Sequence, residues 1–454
     1  MRLSRNRSSL SELGTTNLSL QFSRFDASFS TPGMDIQRLP GFRDFYPEDC
    51  AFRNYIFDTW RRVANVFAFQ EYDGPTLEPT DLYKKKSGEE LKTQLLRFSD
   101  LGGRDVCLRP EMTPTVARLV ATRERDFKKP IKWFSISPFF RFEKPQKGRL
   151  REFYQINCDI FGDNSAAADA ELIALAIELH RAFGLSERDF FVRLSNRNLW
   201  AGFLRERNGP EDRLTEFLAI IDKLERDPEE LTKAKLVPFG LGLQEIRDFM
   251  QTPPASIPGF EPLLRELRWR GLEGFVEVDL TIVRGLDYYT GLVFELFDRK
   301  KANRSLAGGG RYDDLVRIVS DGSVDLPAAG FAIGDLVLAN LIKELDHARQ
   351  AAIEALERRQ LAFFVVIADE GHRPEALQLV SSLRRNGASV DFALQAAKVG
   401  RQFQQAEAVG ASHAIVVGQE WPEIRLKTLG DRTERVLSSE QLCKNWRDIF
   451  GSAS

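Results

Sequence analysis

The stretch "IKWFSISPFFRFEKPQKGRLREFYQINCDIFG", residues 131–162, sets two apolar runs around a polar middle. Aromatic and β-branched residues fill the runs, so the basic segment "EKPQKGRLR" reads as a loop joining an antiparallel pair of strands. On the returning strand Gln155, Asn157 and Asp159 recur at every second position, which places them on one face. Arg141 and Glu143 precede the loop, and Lys144, Lys147, Arg149 and Arg151 lie along it. A cationic segment beside a polar strand face suits a ligand that carries phosphate.

Upstream, "QLLRFSDLGGRDVCLRPEMT" at 94–113 reads as another antiparallel pair turning at Gly102 and Gly103. In "RPEMTPT" Glu111 and Thr113 alternate along a strand, presenting a carboxylate and a hydroxyl that suit a primary ammonium group. Downstream, "TIVRGLDYYTGLVFELF" at 281–297 reads as a hairpin with its turn at Thr290 and Gly291. Arg284 sits there among apolar residues. It needs either Asp287 as an internal partner or a carboxylate or phosphate from outside. The glycine-rich "SLAGGGRYDDLV" at 305–316 has a plain alternative as a tight turn. Helical text such as "SAAADAELIALAIELHRAF" at 165–183 interrupts the strands, and strand runs with helices packed on one side make an α+β sheet domain.

The chain has 454 residues, enough for two or three domains, and its 43% hydrophobic and 29% charged content is that of a globular protein. No apolar run approaches the length of a membrane span. A net charge of -2 excludes a uniformly basic nucleic-acid binder but leaves room for a local basic surface. The four cysteines, Cys50, Cys107, Cys158 and Cys443, lack paired-ligand spacing, so free thiols in a reducing, cytoplasmic setting are expected. The four histidines are scattered without zinc-site spacing, so no dedicated metal site is expected. Residues 1–33 are rich in Ser and Arg with no apolar signal core. They are expected to be a disordered or targeting-like extension, or to precede a true start at Met34.

Pro47 and the acids after it signal a helix start, with Phe52, Ile56, Trp60, Val63 and Phe67 at helical spacing. Residues 34–345 read as one domain interrupted by a charged helical insertion at about 195–265. A linker helix is expected at 346–360. From 361 to 454 strands and helices alternate as βαβαβ, which predicts a small, mainly parallel sheet with helices on both faces. It has no glycine-rich phosphate loop after its first strand, so partner binding is the expected role. In the first domain, alternating acid and amide with two arginines suits a zwitterion plus a polyphosphate, the needs of amino-acid activation by ATP.

These motifs resemble the class II aminoacyl-tRNA synthetases, and within them the histidyl-tRNA synthetases. "FRFEKPQKGRLREFYQINCDIFG" is similar to the family's motif 2, "YDGPTLEP" to its motif 1, and "RGLDYYTGLVFE" with "AGGGRYD" to its histidine-specific signatures. The resemblance covers about 36–450. It implies a class II antiparallel catalytic sheet with a helical insertion, followed by an α/β anticodon-binding domain. It also implies histidyl-adenylate formation from ATP and L-histidine with Mg²⁺, transfer to tRNA(His), and a homodimer built on motif 1.

Residue by residue, the resemblance assigns Glu111, Met112, Thr113 and Gln155 to the histidine backbone side, and Asp159, Tyr288 and Tyr289 to the imidazole. Arg141 and Arg284 become the catalytic arginines, with Glu143 beside them at ATP. Lys144, Lys147 and Arg149 are expected to meet tRNA. One departure stands out: "AIGDLVL" places Val337 where the family's motif 3 carries an arginine. The alternative is a non-catalytic, histidine-sensing paralogue such as the regulatory subunit of ATP phosphoribosyltransferase. That paralogue generally lacks the C-terminal domain present here.

Overall fold

Pro47 opens helix α1 (Pro47–Val66), with Glu48 and Asp49 in its first turn against the positive end of the helix dipole. Its buried stripe is Phe52, Ile56, Trp60 and Val63, the spacing expected from the sequence. The structure, a computed structural model, describes residues 38–84, 93–144, 148–224, 226–252, 260–283, 288–300, 304–357 and 361–450. The chain divides after Ala352 into two units.

In the first unit, β1 (Gln70–Glu71) is followed by β2 (Leu77–Pro79), β3 (Leu96–Ser99) and β4 (Asp105–Leu108), of which the last three form a small sheet ordered β2-β4-β3. The main sheet adds β5 (Ile131–Phe140), β6 (Glu152–Phe161), β7 (Phe190–Asn196), β8 (Val276–Val278), β9 (Leu292–Asp298), β10 (Ala307–Arg311) and β11 (Ala328–Gly334). Its order is β1-β5-β6-β11-β10-β9-β7-β8. The six central strands are antiparallel, and β1 and β8 pair in parallel at the edges. The pair read from 131–162 is β5 and β6, with Ser137 opposite Gln155 and Trp133 opposite Asp159. Helix α2 (Thr113–Arg123) packs against α4 (Leu315–Val319), while α3 (Ala166–Arg181) packs on β6 and β11. Between β7 and β8 the described residues are mainly helical, with helices from Arg197–Glu206 to Phe260–Trp269, around Trp200, Phe203 and Phe217.

The second unit holds β12 (Phe363–Ile367), β13 (Val390–Phe392), β14 (His413–Val417), β15 (Glu423–Thr428) and β16 (Glu434–Ser438), ordered β13-β12-β14-β15-β16. Phe363, Val365 and Ile367 enter one core with Leu379 and Leu383, while Phe364 and Val366 enter another with Ala406, so β12 is covered on both faces. Gln402 is fully buried, and its amide both accepts from the Ile367 N–H and donates to the Ile367 carbonyl, each at 2.8 Å.

Four expectations need correction. Residues 281–297 are not a hairpin: among the described residues 281–283 and 288–291 carry no strand, and β9, which starts at Leu292, pairs with β7 and β10. Glu111 and Thr113 do not share a strand, because β4 stops at Leu108 and Pro114 sits at the start of α2. The glycines of "AGGGRYD" form the buried central strand β10 instead of a turn. The C-terminal sheet is parallel only across β13, β12 and β14; β15 and β16 run antiparallel, and the exposed strand β16 gave no apolar alternation to read. Among the described residues no helix is long and apolar enough to cross a membrane.

Candidate active site

Strand register builds the site floor. Gln155, Asn157 and Asp159 of β6 lie opposite Gly334, Ala332 and Gly330 of β11, and Gly330 in turn lies opposite Gly310 of β10. Large side chains on one strand therefore face almost none on its neighbours, and the sheet carries a trough. The glycines are required there. A Cβ on Gly330 would come within 2.1 Å of Asp159 Oδ1, and one on Gly310 within 2.9 Å of the Tyr289 ring.

Asp159 is 2% exposed at the deep end of this trough. The Tyr312 hydroxyl donates to its Oδ1, while Oδ2 is buried without a hydrogen-bond partner among the described residues. Burial pushes the carboxyl up to about 7, with the Tyr312 hydrogen bond opposing it. Tyr288 and Tyr289 lie beside each other, ring centroids 5.0 Å apart, and Tyr288 meets Tyr312 edge-on at 5.9 Å. Burial pushes the phenols of Tyr288 and Tyr312 well up, so both are hydrogen-bond donors at neutral pH.

The Tyr288 hydroxyl donates to Glu111 Oε2 at 2.9 Å, linking the loop before α2 to the tyrosine pair. Glu111 is 5% exposed, and Met112 beside it is fully buried as the first residue flanking α2. Thr113 begins that helix, half-buried. Glu111, Asp159, Tyr288 and Tyr289 thus converge, although Glu111 arrives from a loop.

The other end of the trough opens into a cavity of about 300 Å³ whose lining includes Arg141, Glu143, Arg149, Gln155 and Val337. Arg141 is held by its Nε donating to the Pro110 carbonyl at 3.0 Å, with its guanidinium 5.3 Å from the Phe153 ring. Arg149 pairs with Glu143, which is largely buried. At the Val337 position the wall is apolar, and the loop returns across it: a Cβ on Gly148 would lie 3.6 Å from Val337 Cγ2. Nearby, Asp335 forms an ion pair with Arg43 at 2.8 Å and accepts from the Tyr154 N–H at 3.0 Å, fixing the start of helix α5 (Asp335–Glu344). Lys144 is exposed. Arg284 and Lys147 lie outside the described residues. Among those residues there is no cluster of three His, Cys, Asp or Glu side chains able to hold a metal alone. Glu143, at the cavity wall beside Arg149, is a carboxylate that would help hold a magnesium ion carried in on nucleotide phosphates.

Sequence reasoning missed several members. Tyr312 follows Gly310 by two positions, so the strand period that singled out Asp159 also points Tyr312 to its face. Arg109, 1% exposed, donates to Asp73 Oδ1 at 3.1 Å and to the carbonyls of Gly74 and Pro138 at 2.8 and 3.1 Å. Asp73 also accepts from Ser137 at 2.8 Å; Ser137 lies opposite Gln155, so a polar brace runs on the same face, beside the floor, between β5 and the segment after β1. No local pattern marks that brace.

Comparison with known proteins agrees with this geometry. Residues 41–337 match the family model described as histidyl-tRNA synthetase, and 362–444 match that of an anticodon binding domain. The chain is 42% identical over 440 residues to a histidine–tRNA ligase of Opitutus terrae, covering 92% of this chain and 99% of that protein. A histidine–tRNA ligase of Leptospira biflexa is 35% identical over 420 residues, with 88% and 94% covered. The fold is also that of a crystal structure of histidyl-tRNA synthetase from Nostoc sp., with a TM-score of 0.70, 24% identity, and 93% and 100% of the two chains covered.

Proposed function

The chain belongs to the histidyl-tRNA synthetase family, and on that premise we propose that it is a histidine–tRNA ligase acting through a histidyl-adenylate. The observation that carries this reading is the buried, half-paired Asp159 among tyrosines, one trough away from an arginine-lined cavity. A carboxylate oxygen in a dry pocket selects a ring N–H, and imidazole offers one at neutral pH.

In this reading Glu111, with Thr113 and Gln155, holds the α-amino group, and Met112 packs behind it. Asp159, Tyr288 and Tyr289 take the imidazole. The histidine carboxylate attacks the α-phosphorus of ATP, and pyrophosphate leaves. Arg141 stabilises the charge gathering on the α-phosphate oxygens, and Arg284 shares that role from the segment beside Tyr288. Glu143 orients the nucleotide together with Arg149. Magnesium bound to ATP supplies further charge neutralisation on the phosphates. The terminal ribose hydroxyl of tRNA(His) then attacks the adenylate carbonyl and releases AMP. Lys144, Lys147 and Arg149 belong to the segment that meets the tRNA, and the 361–454 region reads the anticodon. The match over 362–444 favours the ligase over a histidine-sensing regulatory paralogue. We further place the protein in the cytoplasm as a homodimer through the motif 1 region.

The test is histidine-dependent ATP–pyrophosphate exchange with magnesium and without tRNA. Exchange specific for histidine is expected. Histidine binding without exchange would sink the ligase reading, make Val337 decisive, and favour the regulatory one.

A further inference from the structure

Arg141, Arg149 and Arg304 line the cavity of about 300 Å³ at the open end of the trough, and the strands bring them in from two sides. Arg141 and Arg149 lie in the connection from β5 to β6. Arg304 arrives from across β11, just ahead of β10. Gly310 of β10 stands opposite Gly330 at the deep end, so the chain before β10 runs to the open end. That lead-in is fixed: Ser305 Oγ donates to the Ala307 carbonyl at 2.7 Å, and the N–H of buried Leu306 donates to the Leu296 carbonyl at 2.7 Å. Gly308, Ala332 and Gly334 line the cavity between the two sides, a floor without large side chains.

The positive charges are engaged differently. Arg149 is ion-paired with Glu143. Arg141 is held on the carbonyl of Pro110, the neighbour of Glu111, which sets it at the amino-acid end of the cavity. The wall from α5 supplies no cation, since Asp335 is paired with Arg43 and Leu336 and Val337 are apolar. A polyphosphate laid along the floor from Arg141 therefore meets its next guanidinium at Arg304, whose planar fork suits two phosphate oxygens at once. We propose that Arg304 is a substrate-binding residue that receives the distal phosphates of ATP, the part that departs as pyrophosphate. When the bond from the α-phosphorus to the bridging oxygen breaks, that oxygen keeps the electron pair, and Arg304 neutralises the charge gathering on the leaving group. This inference rests on the ligase reading of the same cavity.

Arg304→Ala removes the guanidinium from an exposed position, so the melting temperature should hold. Expected is a rise of about ten- to a hundredfold in the KM of both ATP and pyrophosphate in the exchange reaction, the range of hydrogen bonds to a charged group. The calorimetric Kd of histidine and that of AMP, which lacks the distal phosphates, should stay unchanged. Arg304→Lys should recover part of the loss. Unchanged KM values for ATP and pyrophosphate overturn the proposal. So does an equal loss of AMP and ATP affinity, which would place Arg304 at the nucleoside or the α-phosphate. A defect seen only with tRNA also overturns it, assigning the arginine to the nucleic acid. Calorimetry with an ATP analogue whose α,β-bridge cannot be cleaved measures binding without turnover. Wild-type protein that binds this analogue but fails in exchange loses the ligase reading and still tests Arg304. Wild-type protein that does not bind it overturns both.

Discussion

Replacing Asp159 by asparagine separates the cost of the buried carboxylate from its use. Burial holds this carboxyl at about 7 in the folded chain, against 3.8 for an ordinary aspartate. That difference corresponds to about 4 kcal/mol between the two ionisation states, at 1.36 kcal/mol for each tenfold change. The folded value is the higher one. The folded chain therefore keeps a proton that the unfolded chain loses above about pH 4, and the resulting stability is fully present below pH 4 and lost as pH rises through 7. At pH 8 the wild-type protein carries an ionised carboxylate in a dry pocket, and the asparagine variant does not. The amide still accepts from Tyr312, but its N–H₂ replaces an unpaired oxygen with an unpaired donor, costing ~1–3 kcal/mol. A net gain of about 1–3 kcal/mol at pH 8 is expected, shrinking to nothing or reversing at pH 5. Thermal unfolding without histidine reads this as a difference of a few degrees between variant and wild type that grows from pH 5 to pH 8. Histidine-dependent exchange by the variant should fall at least a hundredfold under both conditions. A stability difference independent of pH would refute the reasoning, since it would mean that Asp159 ionises like a solvated carboxyl.

Gly330→Ala drives a Cβ to within 2.1 Å of Asp159 Oδ1 and 2.8 Å of the Cys158 carbonyl, so a loss of ~1–3 kcal/mol and at least a tenfold rise in the histidine KM are expected. Gly334→Ala meets nothing within 4 Å and should unfold within about 1 kcal/mol of wild type; equal melting temperatures for the two variants would contradict the packing account. Glu111→Gln keeps an acceptor for Tyr288 but removes the charge proposed to hold the α-amino group, and should weaken histidine binding by about a hundredfold with the ATP KM unchanged, as read by calorimetry and exchange. Arg284→Ala should cut adenylate formation by ~10²–10³-fold while leaving histidine binding measurable; near-normal turnover would remove Arg284 from the catalytic set.

How far the sequence could be read depended on the range of the interactions. The 131–162 pair was legible because both strands and their loop are contiguous, so alternation alone placed Gln155, Asn157 and Asp159 on one face. The α1 stripe was legible for the same reason. The hairpin expected at 281–297 failed because β9 pairs with β7, about a hundred residues upstream, and with β10 downstream, and no local pattern records which strands arrive there. Glu111 was placed on the wrong element: its partner Tyr288 is 177 residues away, and that contact, not strand periodicity, sets its orientation.

The sequence by itself determined the polar residue types, the antiparallel catalytic sheet and the α/β tail, since these follow from short-period patterns and from contiguous motifs. Tertiary structure alone decided which buried oxygen is committed and which is left unpaired. Glu111, Asp159, Tyr288 and Tyr312 come from four separate places in the chain, and a hydrogen bond forms only where folding brings a donor within about 3 Å of its acceptor.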